Sequence, residues 1–469
     1  MEPVHNINLL WYVLGYGVFM VILGVIYSKK ISTSEDFILA GKSLGPIVLM
    51  GTLLATWTGS GTVTGGPNSL AYSNGLWPSL IYGLPSLIGI GILYLISSKI
   101  RAYGKYTISE ILELKYGNGA RLLSAIIIIL AYVGIVSYQF KGVGFVLHVT
   151  TGISVEAGTI AGAALIIFLA MVGGLMSVAP TDAYSAFFIL GSLILAVPFV
   201  LISGGGWDQI TAHVPSTHLN LMGNLTFLQF LGFYIPVLFL LLGDQNMYQR
   251  ISASKGDKSA KSASIGWVIG MLIVTPAVAI LAFAARAIFP SIDPGMALIS
   301  TSLVLPTFVG GVLIAAATAF IITTGNSYLL SAATNITYDI YGKYINPNAS
   351  DKKKLYITKI LIPILGIISF ILINFFPSVL AVQMYSYTVY GAGITPALLG
   401  VFLWKRVTKQ AGLSSMLVGV VVTLVWEFSG KPFDLNSSLI SVPVAIIVLI
   451  AVTLLTSNKS HQFKIEKEM

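Results

Sequence analysis

The chain has 469 residues, of which 56 % are apolar and only 9 % are charged, and it contains no cysteine. Soluble proteins carry charge on roughly a quarter of their residues, so this composition predicts a chain that lies mostly within a membrane. The missing cysteine excludes disulfides, thiolate metal sites and a cysteine nucleophile. A net charge of +9 suits basic loops beside anionic lipid, and no nucleic-acid partner is expected.

Apolar stretches of about 20 residues recur along the whole chain, and each is long enough to cross the ~30 Å hydrocarbon layer as a helix. The short alternating pattern of a membrane β-barrel is absent. We therefore predict an all-α polytopic membrane protein with thirteen spans, numbered in chain order. The predicted spans cover residues 7–27, 44–73, 75–98, 121–147, 153–175, 178–203, 223–248, 263–287, 303–341, 355–375, 378–404, 410–428 and 437–457.

The basic residues predict the orientation. All but three of the 26 lysines and arginines fall in connections on the side of the predicted C-terminus. Because inner loops are enriched in Lys and Arg, we predict a cell-membrane protein with the N-terminus outside and the C-terminus in the cytoplasm. The exceptions are Arg286 and Lys431 in outer connections and Lys141 within span 4. The first apolar stretch has no basic leader or cleavage site, so we expect it to be a retained helix.

Span 2 contains LLATWTGSGTVTGGPNSLAYSNG, in which glycines and a proline stand among threonines and serines. Gly61, Gly65 and Pro67 weaken a helix at its middle, so we predict that the span unwinds there and leaves carbonyl groups free to face a cation. Close packing through small residues is the alternative, since membrane helices also use glycine for that purpose.

Charged residues lie within spans 4 and 6. Lys141, in VSYQFKGVGFVLH, either snorkels to the outer surface or faces a binding cavity, because a Lys at depth costs roughly 2.5–3.5 kcal/mol on insertion scales. Asp182, in SVAPTDAYSAFF, has no basic residue within twenty positions. It either favours the positive end of the helix dipole or takes a counter-charge from another span.

Span 7 is interrupted by LLLGDQNMYQR, where Asp244, Gln245 and Asn246 follow a strongly apolar run. One interpretation is a broken helix at a binding site. The other is a helix end near the inner surface, with Asp244 solvated or paired with Arg250.

Span 9 contains FIITTGNS, in which Phe320, Thr323, Thr324 and Ser327 have i, i+3, i+4, i+7 spacing and share one helix face, with Asn326 beside it. Back-bonding to the carbonyl four residues earlier explains a single hydroxyl in a membrane helix. Three hydroxyls and an amide close together favour a bound ligand as their partner over back-bonding alone.

Carbonyls, hydroxyls and one carboxylate are common to these interruptions, and such oxygens suit a hard cation. A monovalent ion is favoured because divalent sites usually gather several carboxylates. Span 6 runs outward and span 9 runs inward, so Asp182 and the Thr323 to Ser327 cluster both fall in the cytoplasmic half, where they can meet. Breaks in spans 2 and 7, five spans apart, are typical of an inverted five-plus-five repeat.

Several motifs resemble the sodium/solute symporter family: ATWTGSGTVTGG, YTISEILELKYG, GGLMSVAPTDAYSAFF, GDQNMYQRISASKG, TTGNSYLLSAATNITYDIY and YGAGITPALLGVFLWKR. The resemblance implies a leucine-transporter-type fold. Its ten-helix core would occupy residues 44–404, with repeats at about 44–203 and 223–404. Residues 1–43 would form a peripheral first helix and inner loop, and residues 405–469 two peripheral helices and a cytoplasmic tail.

The resemblance also implies a sodium ion between spans 2 and 9. Its ligands are expected to be the carbonyls of Thr56, Gly59 and Phe320 and the hydroxyls of Thr323 and Thr324. Some members of the family hold a second sodium ion. The corresponding residues here are Asp182, Thr323, Asn326 and Ser327.

Relatives that take up acidic solutes place a cationic side chain on the helix that corresponds to span 4, so the expected solute carries a carboxylate that pairs with Lys141. The other residues expected to line its cavity are Thr58, Ser60, Thr62, Val63, Tyr138, Gln139 and Gln245. A sugar is disfavoured because span 7 lacks the tyrosine gate of sugar-transporting relatives.

The predicted function is sodium-coupled import of a small organic solute by alternating access, without enzymatic activity. A proton-coupled transporter is the alternative within transport, with Asp182 or Lys141 as the titrating group. A membrane sensor or channel that keeps the ion site is the alternative from another class. Apart from the solute, the coupling ion and the lipid bilayer, no obligatory partner is predicted.

Overall fold

A computed structural model describes residues 5–29, 33–172 and 175–457. Within these ranges the regular structure is helical, apart from one isolated bridge between Leu44 and Ser254. Eleven of the described helices are long and apolar enough to cross a membrane, and a bent pair, Pro46–Trp57 with Gly61–Ser73, makes a twelfth span. The apolar helix Val155–Val172 lies at predicted span 5 and is shorter. The all-α prediction is confirmed, and the count of thirteen stays a prediction.

The membrane helices carry the numbers of the predicted spans. They are α1 (Asn8–Ser28), α2a (Pro46–Trp57), α2b (Gly66–Ser73), α3 (Leu76–Tyr82 and Leu84–Tyr103), α4 (Asn118–Thr151), α5 (Val155–Val172), α6 (Leu175–Ser203), α7a (Phe227–Gly243), α7b (Gln245–Ser252), α8 (Asp257–Ile288), α9 (Thr307–Thr334, continued by Asn335–Ile345), α10 (Asp351–Leu372), α11 (Val379–Gly393 and Thr395–Leu403), α12 (Lys409–Phe428) and α13 (Ser438–Thr456). Short helices in the connections are Ser34–Leu39, Ala40–Lys42, Ile108–Tyr116, Trp207–His213, Ser216–Leu219, Pro294–Met296, Ala297–Thr301, Ser302–Val304, Ile373–Phe375 and Pro432–Asp434.

The second span is broken where the glycines predicted a break. Helix α2a ends at Trp57, a wider turn covers Gly61–Gly65, and α2b starts at Gly66, with a bend of 50° between the two halves. Gly65 has φ −108° and ψ −127°. The Gly66 N–H, which has no partner within its own helix, donates to Gln383 Oε1 of α11 at 2.9 Å.

The seventh span is broken at Asp244, whose backbone is extended with ψ 116°. Its side chain caps α7b by accepting from the Asn246 N–H at 2.7 Å. A carboxylate at a helix N-terminus satisfies one of the free backbone donors there. The prediction of two discontinuous helices, 2 and 7, is therefore confirmed.

The broken helices lie at the centre of the bundle. Helix α2a packs against α6, α8 and α9, while α9 packs against α1, α4 and α6. Helices α12 and α13 pack mainly on each other and on α11. The division into residues 1–43, 44–404 and 405–469 stays a prediction, as does the orientation. Four of the basic residues used for it, Lys30, Lys459, Lys464 and Lys467, lie outside the described residues.

Candidate functional site

Two hydroxyls of α9 meet the last turn of α2a. Thr323 Oγ1 lies 3.1 Å from the Ala55 carbonyl oxygen, and Thr324 Oγ1 lies 3.2 Å from the Ala55 and 3.1 Å from the Thr56 carbonyl oxygen. All four residues are buried. Carbonyls in the last turn of a helix have no partner within the helix. The break therefore supplies free oxygens at the point where α9 supplies its hydroxyls.

Of the two remaining predicted ligands, the Phe320 carbonyl lies at this contact and the Gly59 carbonyl does not. Thr323 Oγ1 is 3.2 Å from the Phe320 carbonyl oxygen, which lies within the group. The Gly59 carbonyl instead accepts from the Thr62 and Val63 N–H groups at 2.8 and 3.2 Å. Gly59 allows the broken segment of span 2 to approach α9 closely, because an added Cβ would lie 2.5 Å from Thr324 Oγ1. Ala55 takes its place as the second carbonyl of α2a, and its apolar side chain gave no sequence signal.

The donor set at this contact consists of uncharged oxygens. Carbonyl and hydroxyl oxygens are ligands of hard cations and have no preference for transition metals. Among the described residues no group of three or more His, Cys, Asp or Glu residues could hold a metal ion. The residues present therefore suit a monovalent cation such as Na⁺.

The predicted second site is organised around Asp182 of α6. Asp182 Oδ2 accepts from the Thr52 hydroxyl at 2.6 Å, from the Thr56 hydroxyl at 3.3 Å and from Arg250 Nη2 at 3.3 Å. The same Nη2 donates to Ser327 Oγ on α9 at 2.7 Å. Asp182 and the α9 cluster do come together, but through the guanidinium of Arg250. The counter-charge of Asp182 is thus 68 positions away along the chain.

Asp244 forms a separate centre at the α7 break. Its carboxylate accepts from the Tyr132 hydroxyl of α4 at 2.9 Å and from the Tyr328 hydroxyl of α9. It is fully buried. Asp244 is therefore neither solvated nor in a salt bridge with Arg250, because it is buried and Arg250 forms its salt bridge with Asp182.

A polar seam joins α7b to α9 below this centre. Ser331 Oγ of α9 donates to Asn246 Oδ1 at 2.6 Å and to Gln249 Oε1 at 3.0 Å. A narrow space lies beside the seam. Its lining includes Ile38, Leu175, Asn246, Gln249, Arg250, Ser327, Leu330, Ser331 and Thr334.

A second narrow space lies next to the α2 break. We term this space the cavity. Its lining consists of aromatic, aliphatic, small and uncharged polar residues: Trp57, Gly61, Thr62, Pro67, Tyr82, Gly83, Ser86, Val237, Met271, Thr275, Gln383 and Tyr387. Thr62 is the member of this set that the sequence predicted. The lining contains no charged side chain.

Gln383 orders one wall of the cavity. Its Oε1 accepts from the Gly66 N–H, and its Nε2 donates to the Tyr82 hydroxyl at 3.2 Å. On another wall Trp57 Nε1 donates to Ser86 Oγ at 3.1 Å, and the Trp57 ring stacks on Tyr387 at 6.4 Å. Sequence reasoning missed Gln383, although an amide within an apolar span is itself a sign of function.

Several residues predicted to line the cavity instead connect the α2 break to α4. The Ser60 N–H donates to Gln139 Oε1 at 2.9 Å, and Ser60 Oγ lies 3.2 Å from the Tyr138 carbonyl oxygen. Thr58 Oγ1 donates back to the Leu54 carbonyl at 2.5 Å. These side chains fix the conformation of the broken segment.

The remaining predicted cavity residues lie in other surroundings. Val63 is fully buried and does not line the cavity. Gln245 Oε1 accepts from the Ile108 N–H at 3.1 Å, because α7b directs this side chain to the helix Ile108–Tyr116. Lys141 is half-buried, with its ammonium 5.8 Å from the centroid of the Phe145 ring and outside the cavity lining.

An ion-pair cluster lies at the predicted inner ends of α4 and α9. Arg121 donates to Asp339 at 2.8 Å, to Glu113 at 2.6 Å and to Glu110 at 3.2 Å, and Lys343 Nζ lies 2.6 Å from Glu113. Burial opposes ionisation of Glu113, but hydrogen bonds from Lys343 and Arg121 outweigh it and lower its pKa. The cluster ties the helix Ile108–Tyr116 to the C-terminal continuation of α9.

His218 contacts the C-terminal end of α2b, the end away from the α2 break. Its Nε2 lies 3.1 Å from the Tyr72 carbonyl oxygen, and its carbonyl oxygen would lie 2.2 Å from a Cβ added at Gly75. Burial lowers the pKa of His218 below its ordinary value of 6.5, against the opposing effect of the hydrogen bond to Tyr72.

Comparison with known proteins gives consistent matches. The family model described as the sodium:solute symporter family matches residues 37–419. The sodium/proline symporter of Escherichia coli is 24% identical over 88% of this chain and 86% of its own length. That of Haemophilus influenzae is 26% identical over 94% and 93%. The high-affinity proline transporter of Bacillus subtilis is 24% identical over 94% and 97%.

Solved structures share the fold. A substrate-bound, outward-open Na⁺-coupled sialic acid symporter superposes with a TM-score of 0.81 at 20% identity, over 96% of this chain and 97% of its own. The transporter MhsT in complex with L-phenylalanine gives 0.56 at 14% identity, over 89% and 99%. The leucine-transporter-type fold predicted from the motifs is thus confirmed.

Proposed function

The chain belongs to the sodium:solute symporter family, and we propose that it uses sodium to import a small zwitterionic carboxylate, with proline as the first candidate. The coarse function is sodium-coupled solute symport across a membrane, and the protein is not an enzyme. The nature of the solute, the ligands of the ion and the role of each site residue are our proposals.

One observation carries the proposal. The α2 break supplies the Ala55 and Thr56 carbonyls to the hydroxyls of Thr323 and Thr324, and it also supplies Trp57 and Gly61 to the cavity wall. An ion held between α2a and α9 therefore fixes one wall of the solute cavity. By linkage, a solute that tightens the ion site must itself be bound more tightly when the ion is present.

The character of the cavity supports a solute of zero net charge. Its lining has no charged side chain, and Trp57, Tyr82 and Tyr387 offer ring faces to an ammonium group. The hydroxyls of Thr62, Ser86 and Thr275 and the amide of Gln383 offer hydrogen bonds to a carboxylate. Sodium/proline symporters are among the relatives of this chain, which makes proline the first solute to test.

We retain the hypothesis that Lys141 attracts the solute carboxylate. It is supported by the absence of a carboxylate partner for Lys141 among the described residues and by its half-buried position on α4. Because Lys141 is outside the cavity lining, the two locations for the carboxylate make different predictions. Lys141→Ala raises the half-saturating solute concentration only if the lysine takes part, and Gln383→Ala raises it only if the cavity does.

The proposed mechanism is alternating access driven by the ion. Sodium bridging α2a and α9 favours the outward-open arrangement, and its release to a low-sodium cytoplasm lets the cavity open inward. Each charge that moves inward gains ~2.3 kcal/mol per 100 mV of membrane potential. The neutral solute and the cation together carry net positive charge, so the potential adds to the sodium gradient.

Uptake by the purified protein in proteoliposomes tests the function. Labelled proline and unlabelled competitors, including other amino acids, small carboxylates and sugars, are supplied under imposed sodium or proton gradients. Accumulation that requires a sodium gradient supports the proposal. Accumulation with protons alone indicates a proton-coupled transporter, and sodium binding without accumulation indicates a sensor or channel.

A further inference from the structure

Arg250 stands at the position where the family resemblance implies a second sodium ion. The residues that correspond to that site are Asp182, Thr323, Asn326 and Ser327. Arg250 Nη2 lies between two of them, 3.3 Å from Asp182 Oδ2 and 2.7 Å from Ser327 Oγ. We propose that its guanidinium is a fixed cation that replaces the second ion, so that one sodium ion accompanies each solute.

The charges around the site support this assignment. The Asp182 and Arg250 side chains are each about 1% exposed and form a neutral pair. The nearby carboxylate of Asp244 is held by the hydroxyls of Tyr132 and Tyr328. A sodium ion bound between Asp182 and Ser327 would stand directly against the Arg250 guanidinium, and like charges at short range disfavour each other.

The oxygens of the site are largely engaged. Asp182 Oδ2 accepts from two hydroxyls and from Arg250, and Ser327 Oγ accepts from Arg250. Thr323 Oγ1 faces the carbonyls of the first site. Asp182 Oδ1 and Asn326 Oδ1 are left as buried oxygens without a hydrogen-bond partner. Two free oxygens are too few to replace the hydration shell of a hard cation, which proteins surround with several oxygen ligands.

Further contacts fix the guanidinium in place. Arg250 Nε donates to Thr52 Oγ1 of α2a at 2.9 Å, and Nη1 donates to the Asn246 carbonyl at 3.3 Å. The planar group is therefore held by α2a, α6, α7b and α9 together. An arginine bound at several points by its fork of donors keeps its position better than a lysine would.

The ion-to-solute ratio tests the inference, which rests on the proposed function. In proteoliposomes at zero membrane potential, the solute ratio that stops net flux is measured against an imposed sodium ratio. For one ion, about a tenfold sodium gradient holds about a tenfold solute gradient, and for two ions about a hundredfold. The first result is expected, and the second overturns the inference while leaving the proposed function standing. Uptake that needs no sodium overturns both.

Sodium-dependent thermal stabilisation of the purified protein gives a second test that requires no transport. The wild-type protein should respond to sodium with a Hill coefficient of about 1, and Arg250→Gln should raise the coefficient toward about 2 by freeing Asp182. Adding Asp182→Asn to that variant should return it to about 1. Arg101→Gln, which breaks the surface pair with Asp257, is the matched control. A wild-type coefficient near 2 that falls in Asp182→Asn contradicts the assignment.

Discussion

The Thr324 hydroxyl oxygen lies 3.1 Å from the carbonyl oxygen of Thr56, in the last turn before the α2 break. A conformational change that moves the α2 break must therefore alter the contact between the Thr324 side chain of α9 and the Thr56 carbonyl of α2a. The same contact lies next to the cavity wall at Trp57. This geometry makes α9 and α2a the pair of helices through which ion binding and solute binding can affect each other.

Removing the α9 hydroxyls should weaken sodium dependence. Thr323→Val combined with Thr324→Val keeps the shape of the side chains and removes both oxygens, so we expect the half-saturating sodium concentration for uptake to rise at least about tenfold, or ~1.4 kcal/mol. Thr318→Val on the same helix is the control, because Thr318 Oγ1 only donates back to the Ile314 carbonyl. Unchanged sodium dependence in the double variant would exclude this ion site.

Filling the space at Gly59 should separate the two helices. An added Cβ would lie 2.5 Å from Thr324 Oγ1, so Gly59→Ala must displace α9 or the broken segment. We expect loss of sodium-dependent uptake with the folded protein still recoverable. Gly91→Ala on α3, where a Cβ meets nothing within 4 Å, should transport normally. Normal transport by Gly59→Ala would show that the close approach is not required.

The Tyr328 hydroxyl should help to keep the inner side closed. Tyr328→Phe removes its hydrogen bond to Asp244 but keeps the ring, which packs edge-on at 4.7 Å against Tyr132. Because the chain has no cysteine, a single Thr334→Cys substitution reports on access to the space beside the α7b–α9 seam. We expect Tyr328→Phe to speed maleimide labelling of that cysteine.

Tyr341→Phe is the matched control for this measurement, since its hydroxyl contacts Asn346 in the same segment. Sodium should slow labelling in the parent single-cysteine protein if the ion favours the outward-open arrangement. An equal labelling rate in all three proteins would show that the Asp244 centre does not gate the inner side.

Breaking the Arg121 cluster should destabilise the N-terminal end of α4 and the C-terminal end of α9. Arg121→Gln leaves three carboxylates, Glu110, Glu113 and Asp339, with Lys343 as their remaining cation among the described ion pairs. Removing one partner of a buried ion pair costs about 3–5 kcal/mol. We expect a clear fall in the unfolding temperature of the detergent-solubilised protein. A fall no larger than that of Arg101→Gln would contradict the role of this cluster.

The C-terminal end of α2b should lose stability in mild acid. The native pKa of His218 is lowered below 6.5, so the unfolded state binds a proton first as pH falls. The stability that neutral His218 contributes to the folded protein is therefore present above pH 6.5, and it declines as the pH drops below that value toward the native pKa. His218→Gln keeps a donor for the Tyr72 carbonyl and cannot titrate. We expect it to flatten the dependence of the unfolding temperature on pH between about 5 and 7.

The sequence alone predicted the elements that depend on local composition. Apolar length predicted the membrane helices, and Gly61, Gly65 and Pro67 marked the α2 break because glycine and proline weaken a helix wherever it lies. The i, i+3, i+4, i+7 spacing placed Thr323, Thr324 and Ser327 on one face, since that follows from helix geometry. The motifs then predicted the family and the fold.

Only the tertiary structure decided which groups meet. It joined Asp182 to Arg250, and it brought Gln383 of α11 to the Gly66 N–H of the broken helix. It also placed the Ala55 carbonyl, and not that of Gly59, beside the Thr323 and Thr324 hydroxyls. Contacts between helices depend on the rotation and depth of each helix in the packed bundle, and a backbone carbonyl has no side-chain signature. The rotation and depth of a helix cannot be predicted from its local sequence, because they result from packing across the whole membrane domain.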